Sequence, residues 1–289
     1  MTGRRSTTGL LVALVVLLLA ACGGSPPPGV TGSSPGTATS STGRAGVGGT
    51  PTGGGTAATA TAAPAGAPAP CPGLSGAHGR WLPVRGGRLE ANTLGSGPDA
   101  VVFLHEIGSA GMCGFADYAG WLVTHHPQVQ AVLVDRCGYG GSSCPRTVAH
   151  DIAAETAPAV RWARAHGARR VTLVGASGGG MDALDAAALV SGVDALVDVS
   201  GDENDTGAHD TALARQIRVP SLLAVAPDDP YCSVAAMRAL YREIPTRVKR
   251  WDLERRYPGT HGWNLLLDAS GQPMPLARRV AGWVLGRTP

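Results

Sequence analysis

Charge is scarce in this sequence. Of its 289 residues 16% are charged, and the formal net charge is only +3. No basic cluster interleaved with aromatics is present, so the electrostatic footprint of a nucleic-acid binder is missing and no nucleic-acid partner is expected. Aromatic residues are equally thin at 4%. Neither CxxC nor HxxxH spacing occurs among the six cysteines and eight histidines, which removes the usual zinc signatures. Asp202, Glu203, Asp205 and Asp210 form an acidic cluster without the spacing and central glycine of an EF-hand, and they read as a solvated loop rather than a calcium site. No apolar run reaches the roughly 20 residues that a membrane-spanning helix needs.

The longest apolar run, Leu10 to Ala21, follows Arg4 and Arg5 and ends in small residues. A basic start, a short apolar stretch and a small-residue end describe a secretory signal peptide. Leu19-Ala20-Ala21-Cys22 resembles the lipobox of bacterial lipoproteins. That resemblance implies cleavage before Cys22 and a diacylglyceryl group on its thiol, leaving the chain held to the membrane outside the cytoplasm. Two acyl chains anchor far better than one, at about 0.8 kcal/mol for each buried methylene. An ordinary signal peptide with a coincident cysteine is the competing reading.

From Gly23 to Pro70 the chain is almost entirely Gly, Ser, Thr, Pro and Ala, with Val30 and Val47 besides, no aromatic residue and one charge, Arg44. Such a segment buries too little apolar surface to offset the entropy of ordering it. It reads as a flexible tether with ends roughly 35–40 Å apart by coil scaling. Its Ser/Thr/Pro content also suits O-glycosylation. The expected organisation is therefore a signal over 1–21, a lipidated cysteine and tether over 22–70, and one folded domain over 71–289.

Five cysteines follow Cys22: Cys71, Cys113, Cys137, Cys144 and Cys232. In a secreted chain these favour disulfides, and an odd number leaves one outside any intrachain pair. Spacing does not fix the pairing, although Cys137 with Cys144 would close a short loop.

Within the domain, strand-like pieces at 81–84 and 88–93 precede short apolar runs at 100–104, 131–134, 171–174, 195–199 and 221–226. Continuous rather than alternating apolar runs predict strands buried on both faces, as in a parallel sheet. Helical patterns at 115–126, 147–166, 180–190 and 233–244 lie between them, the last with Ser233 as N-cap. The fold class expected is α/β, a doubly wound, mostly parallel sheet. About twenty residues separate the last two runs, too few for a large cap domain.

The most specific motif is Gly175-Ala176-Ser177-Gly178-Gly179, set between an apolar strand and a helical pattern. In G-x-S-x-G the serine occupies a sharp strand-to-helix turn that lifts its hydroxyl above the sheet, and the glycines keep Cβ atoms out of the close approach. Here the chain, over about Val101 to Val284, resembles the α/β-hydrolase family. Leu104-His105-Glu106-Ile107-Gly108 stands where that family has a His-Gly loop. Asp135-Arg136-Cys137-Gly138-Tyr139-Gly140-Gly141-Ser142 looks like its D-x-R-G-x-G-x-S turn, here read as structural. Residues 222–229 resemble its acid-bearing strand, and Gly259-Thr260-His261-Gly262 its histidine loop.

Acyl-transfer chemistry assigns the roles. A serine hydroxyl needs a base during attack, and His261 lies after the last expected strand, between residues that let a loop return to Ser177. Asp229 is the first choice for the acid that orients it, although Ala226 replaces the glycine of the family's G-x-x-D. Asp228 is the close rival and Asp202 the third. The oxyanion needs preorganised donors: the Gly178 N–H by position, and the Ile107 N–H by family analogy. Glu106 stands where His-Gly is common, and a side chain there that faced the pocket would alter selectivity. His-Glu-Ile is also similar to dienelactone hydrolases, whose nucleophile is cysteine; Ser177 argues against that chemistry. Trp263 lines the acyl pocket or packs in the core.

The expected activity is hydrolysis of a small carboxylic ester or thioester through an acyl-Ser177 intermediate, with no metal or organic cofactor. Acyl transfer to an alcohol by the same triad, and a non-catalytic binding lipoprotein, are the alternatives.

The lipid has its own test. Cys22→Ala should abolish incorporation of labelled palmitate and membrane retention. Continued acylation of that variant would remove the lipobox reading.

Overall fold

The structure, a computed structural model, describes residues 66–201 and 208–288. The expected signal peptide, Cys22, most of the expected tether, and Asp202, Glu203 and Asp205 lie outside the described residues, as does the Asp210 side chain.

Eight strands form one sheet: β1 (His78–Val84), β2 (Gly87–Gly95), β3 (Asp99–Leu104), β4 (Val129–Val134), β5 (Arg170–Ala176), β6 (Ala195–Val199), β7 (Ser221–Val225) and β8 (Lys249–Leu253). Their order is β1-β2-β4-β3-β5-β6-β7-β8. β1 and β2 join antiparallel, and every pair from β4 to β8 is parallel. The apolar runs fix this arrangement. β4, β6 and β7 are buried at every residue, and β3 and β5 at all but their first, so both of their faces need cover.

The cover comes from α1 (Ala116–His125) and α6 (Pro275–Val284) on one face, and from α2 (Ile152–Ala165), α3 (Gly178–Leu189), α4 (Ala208–Ala214) and α5 (Val234–Glu243) on the other. Phe103, Phe115, Leu122, Val280 and Trp283 fill the first layer; Leu173, Leu184, Leu196, Leu223, Met237 and Leu240 fill the second.

Two elements carry weak sequence signals and were not expected. β8 reads Lys-Arg-Trp-Asp-Leu and lies at the sheet edge, where charged side chains are tolerated and discourage further pairing. The last strand is thus β8 rather than 221–226, and His261 still follows it. α6 begins at Pro275, a residue suited to the first helical position. The helix expected over 147–166 starts later, at Ile152, because Asp151 caps it through a side-chain bond from the Ala154 N–H. Ser233 caps α5 as expected.

Two disulfides staple the domain. Cys71–Cys113 ties the domain's N-terminal entry to the turn before α1, and Cys137–Cys144 closes the turn after β4; Cys232 is buried outside both pairs. Their sequence separations of 42 and 7 give different closure entropies. The chain-entropy relation assigns about 4 kcal/mol to the longer loop and about 2.5 to the shorter. Replacing Cys71 and Cys113 by Ser should therefore cost more stability in denaturant titration than replacing Cys137 and Cys144. A larger loss from the short loop would show that native packing around the turn, not loop closure, sets the difference.

Candidate active site

Register brings three loops to one edge of the sheet. Leu104 pairs with Gly175, and Ala176 with Val199, so the chain leaves β3, β5 and β6 side by side at their carboxyl ends. Between β5 and α3, Ser177 adopts φ 52°, ψ −129°, a conformation that costs a non-glycine residue of order 1–3 kcal/mol. The flanking glycines are obligatory. A Cβ on Gly175 would sit 1.8 Å from the Gly179 carbonyl oxygen, and one on Gly179 would sit 2.1 Å from that of Leu104. The Ser177 N–H donates to the Val199 carbonyl at 2.9 Å, tying the turn to the neighbouring strand.

The acid and the histidine come from the loops after β7 and β8. The Gly259 N–H donates to the Pro227 carbonyl at 2.8 Å and draws the two loops together. His261 Nδ1 then lies 2.8 Å from Asp229 Oδ1. The same oxygen accepts the backbone N–H groups of Tyr231 at 3.0 Å and Cys232 at 3.1 Å, so the carboxylate is aimed by its own loop. The Asp229 side chain is fully buried and that of His261 is 12% exposed. Asp228, the rival acid, is exposed at φ 56° and does not make this bond. Asp202 lies outside the described residues. Among the described residues no hydrogen bond joins Ser177 to His261, a link that often tightens only when substrate is bound.

The loop after β3 supplies the third part. Isoleucine is a costly residue to leave in water, yet Ile107 is 72% exposed. Its Cγ1 and Cδ1 would stand 2.9 and 3.0 Å from a Cβ on Gly178, so its side chain lies over the start of α3. Neither the Gly178 nor the Ile107 N–H donates to a protein group among the described residues, leaving both available to an anionic oxygen. His105, just before, is buried and neutral. Its Nε2 accepts the Arg136 N–H at 3.2 Å, so Nδ1 carries the proton and donates to the Glu106 carbonyl at 2.6 Å. Burial holds its pKa down to about 4. Beside it, burial pushes the Asp135 carboxyl up to about 6, against the Met112 N–H that it accepts at 2.7 Å. The Ser142 hydroxyl donates to the Asp135 carbonyl and so closes the turn that begins at Asp135.

Glu106 answers the question that sequence left open. Its Oε1 accepts the Trp263 N–H at 2.7 Å and fills the space where Gly262 would carry a Cβ, 1.7 Å away. One carboxylate thereby ties the Ile107 loop to the His261 loop. Burial pushes its pKa up, Asp229 adds to that, and the Trp263 N–H and His261 oppose it. Trp263 itself packs edge-on against Phe115 at 5.5 Å, so its role is in the core. Sequence reasoning passed over Tyr231, whose ring stands edge-on to His261 at 5.0 Å. Its position two residues beyond the acid was the available signal. Among the described residues, no group of three or more His, Cys, Asp or Glu side chains is placed to hold a metal ion.

The clamp has a direct test. Glu106→Ala should leave the Trp263 N–H without its acceptor, costing about 1–3 kcal/mol and accelerating exchange of that amide. Glu106→Gln keeps an oxygen in place and should lose less than half as much. Unchanged protection of the Trp263 amide in the alanine variant would refute the clamp.

No family model matches the chain, and no curated protein matches it. Solved structures do align. An esterase of Pyrococcus furiosus superposes with a TM-score of 0.59 and 14% identity, over 74% of this chain and 91% of its own. The dienelactone hydrolase of Anabaena variabilis gives 0.57 and 20%, over 73% and 97%. Acetyl xylan esterase 1 of a Thermoanaerobacterium gives 0.54 and 17%, over 73% and 84%. At such identities the likeness speaks to architecture alone. Taken with the strand order and the serine turn between β5 and α3, it shows that the chain has the α/β-hydrolase fold.

Proposed function

We propose that this protein is a serine hydrolase that cleaves a small carboxylic ester or thioester through an acyl-Ser177 intermediate, outside the cytoplasm. The observation that carries the reading is the 2.8 Å bond from His261 to the buried Asp229, made beside a serine held in a strained strand-to-helix turn. The esterase and hydrolase names of the aligned structures support it.

The chemistry follows from the placement. Asp229 accepts the proton-bearing Nδ1 of His261, which leaves Nε2 free to take a proton. As Ser177 Oγ bonds to the carbonyl carbon, its proton passes to Nε2 and the carbonyl oxygen becomes an anion. The N–H groups of Gly178 and Ile107 receive that charge, at about 3 kcal/mol per donor in comparable sites. His261 then delivers the proton to the leaving oxygen or sulfur as its bond to carbon breaks. Water repeats the sequence on the acyl-enzyme: His261 removes its proton, the tetrahedral adduct collapses, and Ser177 regains its hydrogen as the carboxylic acid departs. No step calls for a metal or an organic cofactor.

Location belongs to the same proposal. Two disulfides suit an oxidising compartment, and the signal and Cys22 provide export and a lipid anchor, with the 22–70 tether between anchor and domain.

The test is fluorophosphonate labelling of the soluble domain alongside hydrolysis of p-nitrophenyl esters. Both should vanish together in Ser177→Ala. Asp229→Asn should lower kcat by about 10³–10⁴-fold, since the amide favours the wrong imidazole tautomer, while Asp228→Asn should cost under about tenfold. A folded wild type that neither labels nor turns over would overturn the proposal, and a larger loss in Asp228→Asn would move the acid.

A further inference from the structure

Three large apolar side chains are exposed among the described residues: Ile107 at 72%, Tyr231 at 72% and Leu189 at 51%. Two of the three belong to the candidate site. Ile107 lies over Gly178, and Tyr231 stands against His261 with ring centroids 5.0 Å apart and planes at 70°. Apolar surface held in water forfeits the free energy of its burial, and exposure concentrated at a functional edge marks a surface that a ligand covers.

Tyr231 is held in place. Its N–H donates to Asp229 Oδ1 at 3.0 Å, the oxygen that also accepts from His261. Its backbone is thus tied to the acid, and its ring rests against the base. A tyrosine has only two side-chain torsions, so a ring anchored this way offers contact area at little entropic cost.

Reaction geometry says which half of a substrate meets that ring. The proton from His261 goes to the leaving oxygen, so the alcohol half of an ester must lie beside the imidazole, whereas the carbonyl oxygen points toward Gly178 and Ile107. A side chain packed on His261 therefore borders the alcohol half. We infer that Tyr231 is the specificity-determining residue for the leaving alcohol, and that it selects esters of flat aromatic alcohols over those of small aliphatic ones. The inference rests on the hydrolase reading above. Offset or edge-on packing of an aromatic leaving group against the exposed Tyr231 ring is the interaction it requires.

The experiment holds the acyl group constant and varies the alcohol. kcat/KM is measured for 2-naphthyl acetate and ethyl acetate with wild type, Tyr231→Ala and Tyr231→Phe, and the quantity read is the naphthyl-to-ethyl ratio within each protein. The ratio should fall tenfold or more in Tyr231→Ala and by less than threefold in Tyr231→Phe. If Tyr231 merely supported His261, both esters would lose equally and the ratio would stay fixed, which overturns the inference. A second arm follows 2-naphthol binding by NMR titration to Ser177→Ala with and without Tyr231→Ala. Binding that disappears only in the double variant supports the subsite even if no ester is turned over, in which case the hydrolase reading alone fails. Equal binding by both proteins overturns the subsite.

Discussion

The close approach of α3 to the ends of β3 and β5 is the constraint on which the rest of the site depends. The first turn of α3 passes so near the sheet that Cβ atoms at 175 and 179 would fall 1.8 and 2.1 Å from backbone oxygens. Only glycine permits that distance, and only a positive φ at Ser177 lets the chain reverse within it. The strain is local and is met by the buried strands around it: Ser177 donates to Val199, and Gly180 returns a bond to the Ser177 carbonyl at 2.7 Å. The same turn leaves the Gly178 N–H without a protein acceptor among the described residues. Strain and an available donor are therefore two consequences of one turn.

Two carboxylates then hold the histidine loop. Asp229 reaches His261 through the imidazole; Glu106 accepts the Trp263 N–H and occupies the space that a Cβ on Gly262 would need. They differ in what surrounds them. The oxygen of Asp229 that meets His261 collects three N–H donors, from the imidazole and from the Tyr231 and Cys232 backbone. Glu106 has one backbone donor and a burial penalty that outweighs it, with the charge of Asp229 nearby adding to the penalty. The arrangement thus places an ordered acceptor against the imidazole, and behind the loop a carboxyl whose pKa burial pushes up. Because Glu106 precedes Ile107, movement of the histidine loop would be felt directly at the proposed oxyanion donor.

How much of this was legible in the sequence depends on the kind of signal each part left. The buried strands wrote themselves as Val- and Leu-rich runs because both faces are covered, and they were located to within two residues at nearly every end. Gly175, Ser177 and Gly179 were legible because local backbone geometry dictates them. β8 was invisible because an edge strand with Lys249, Arg250 and Asp252 carries no apolar run. α6 carries Arg278 and Arg279 within its apolar pattern, and Arg279 is spent on ion pairs with Asp252 and Glu254 rather than on any property readable along the chain. Within the site, topology ranked Asp229 above Asp228, but the bond to His261 depends on the Gly259–Pro227 contact, across 32 residues of sequence. The partner of Glu106 lies 157 residues away and left no local trace.

Tyr231 illustrates why sequence order and chemical role part company. It follows Pro230 in a short loop, where an aromatic residue would ordinarily suggest an accidental exposure. Its significance comes from the Asp229 turn, which bends the chain so that the acid points inward and the residue two positions later emerges over the imidazole. A loop built to aim one carboxylate thus also decides what stands at the mouth of the site. On the opposite side, Ile107 owes its exposure to Glu106, whose side chain turns under the histidine loop while the next residue faces out over Gly178. The polar anchors beneath and the apolar lips above stand one or two residues apart in the same two short segments. The proposed selectivity is therefore coupled to the proposed catalytic geometry, because the rim residues lie within two positions of the carboxylates that hold the histidine loop.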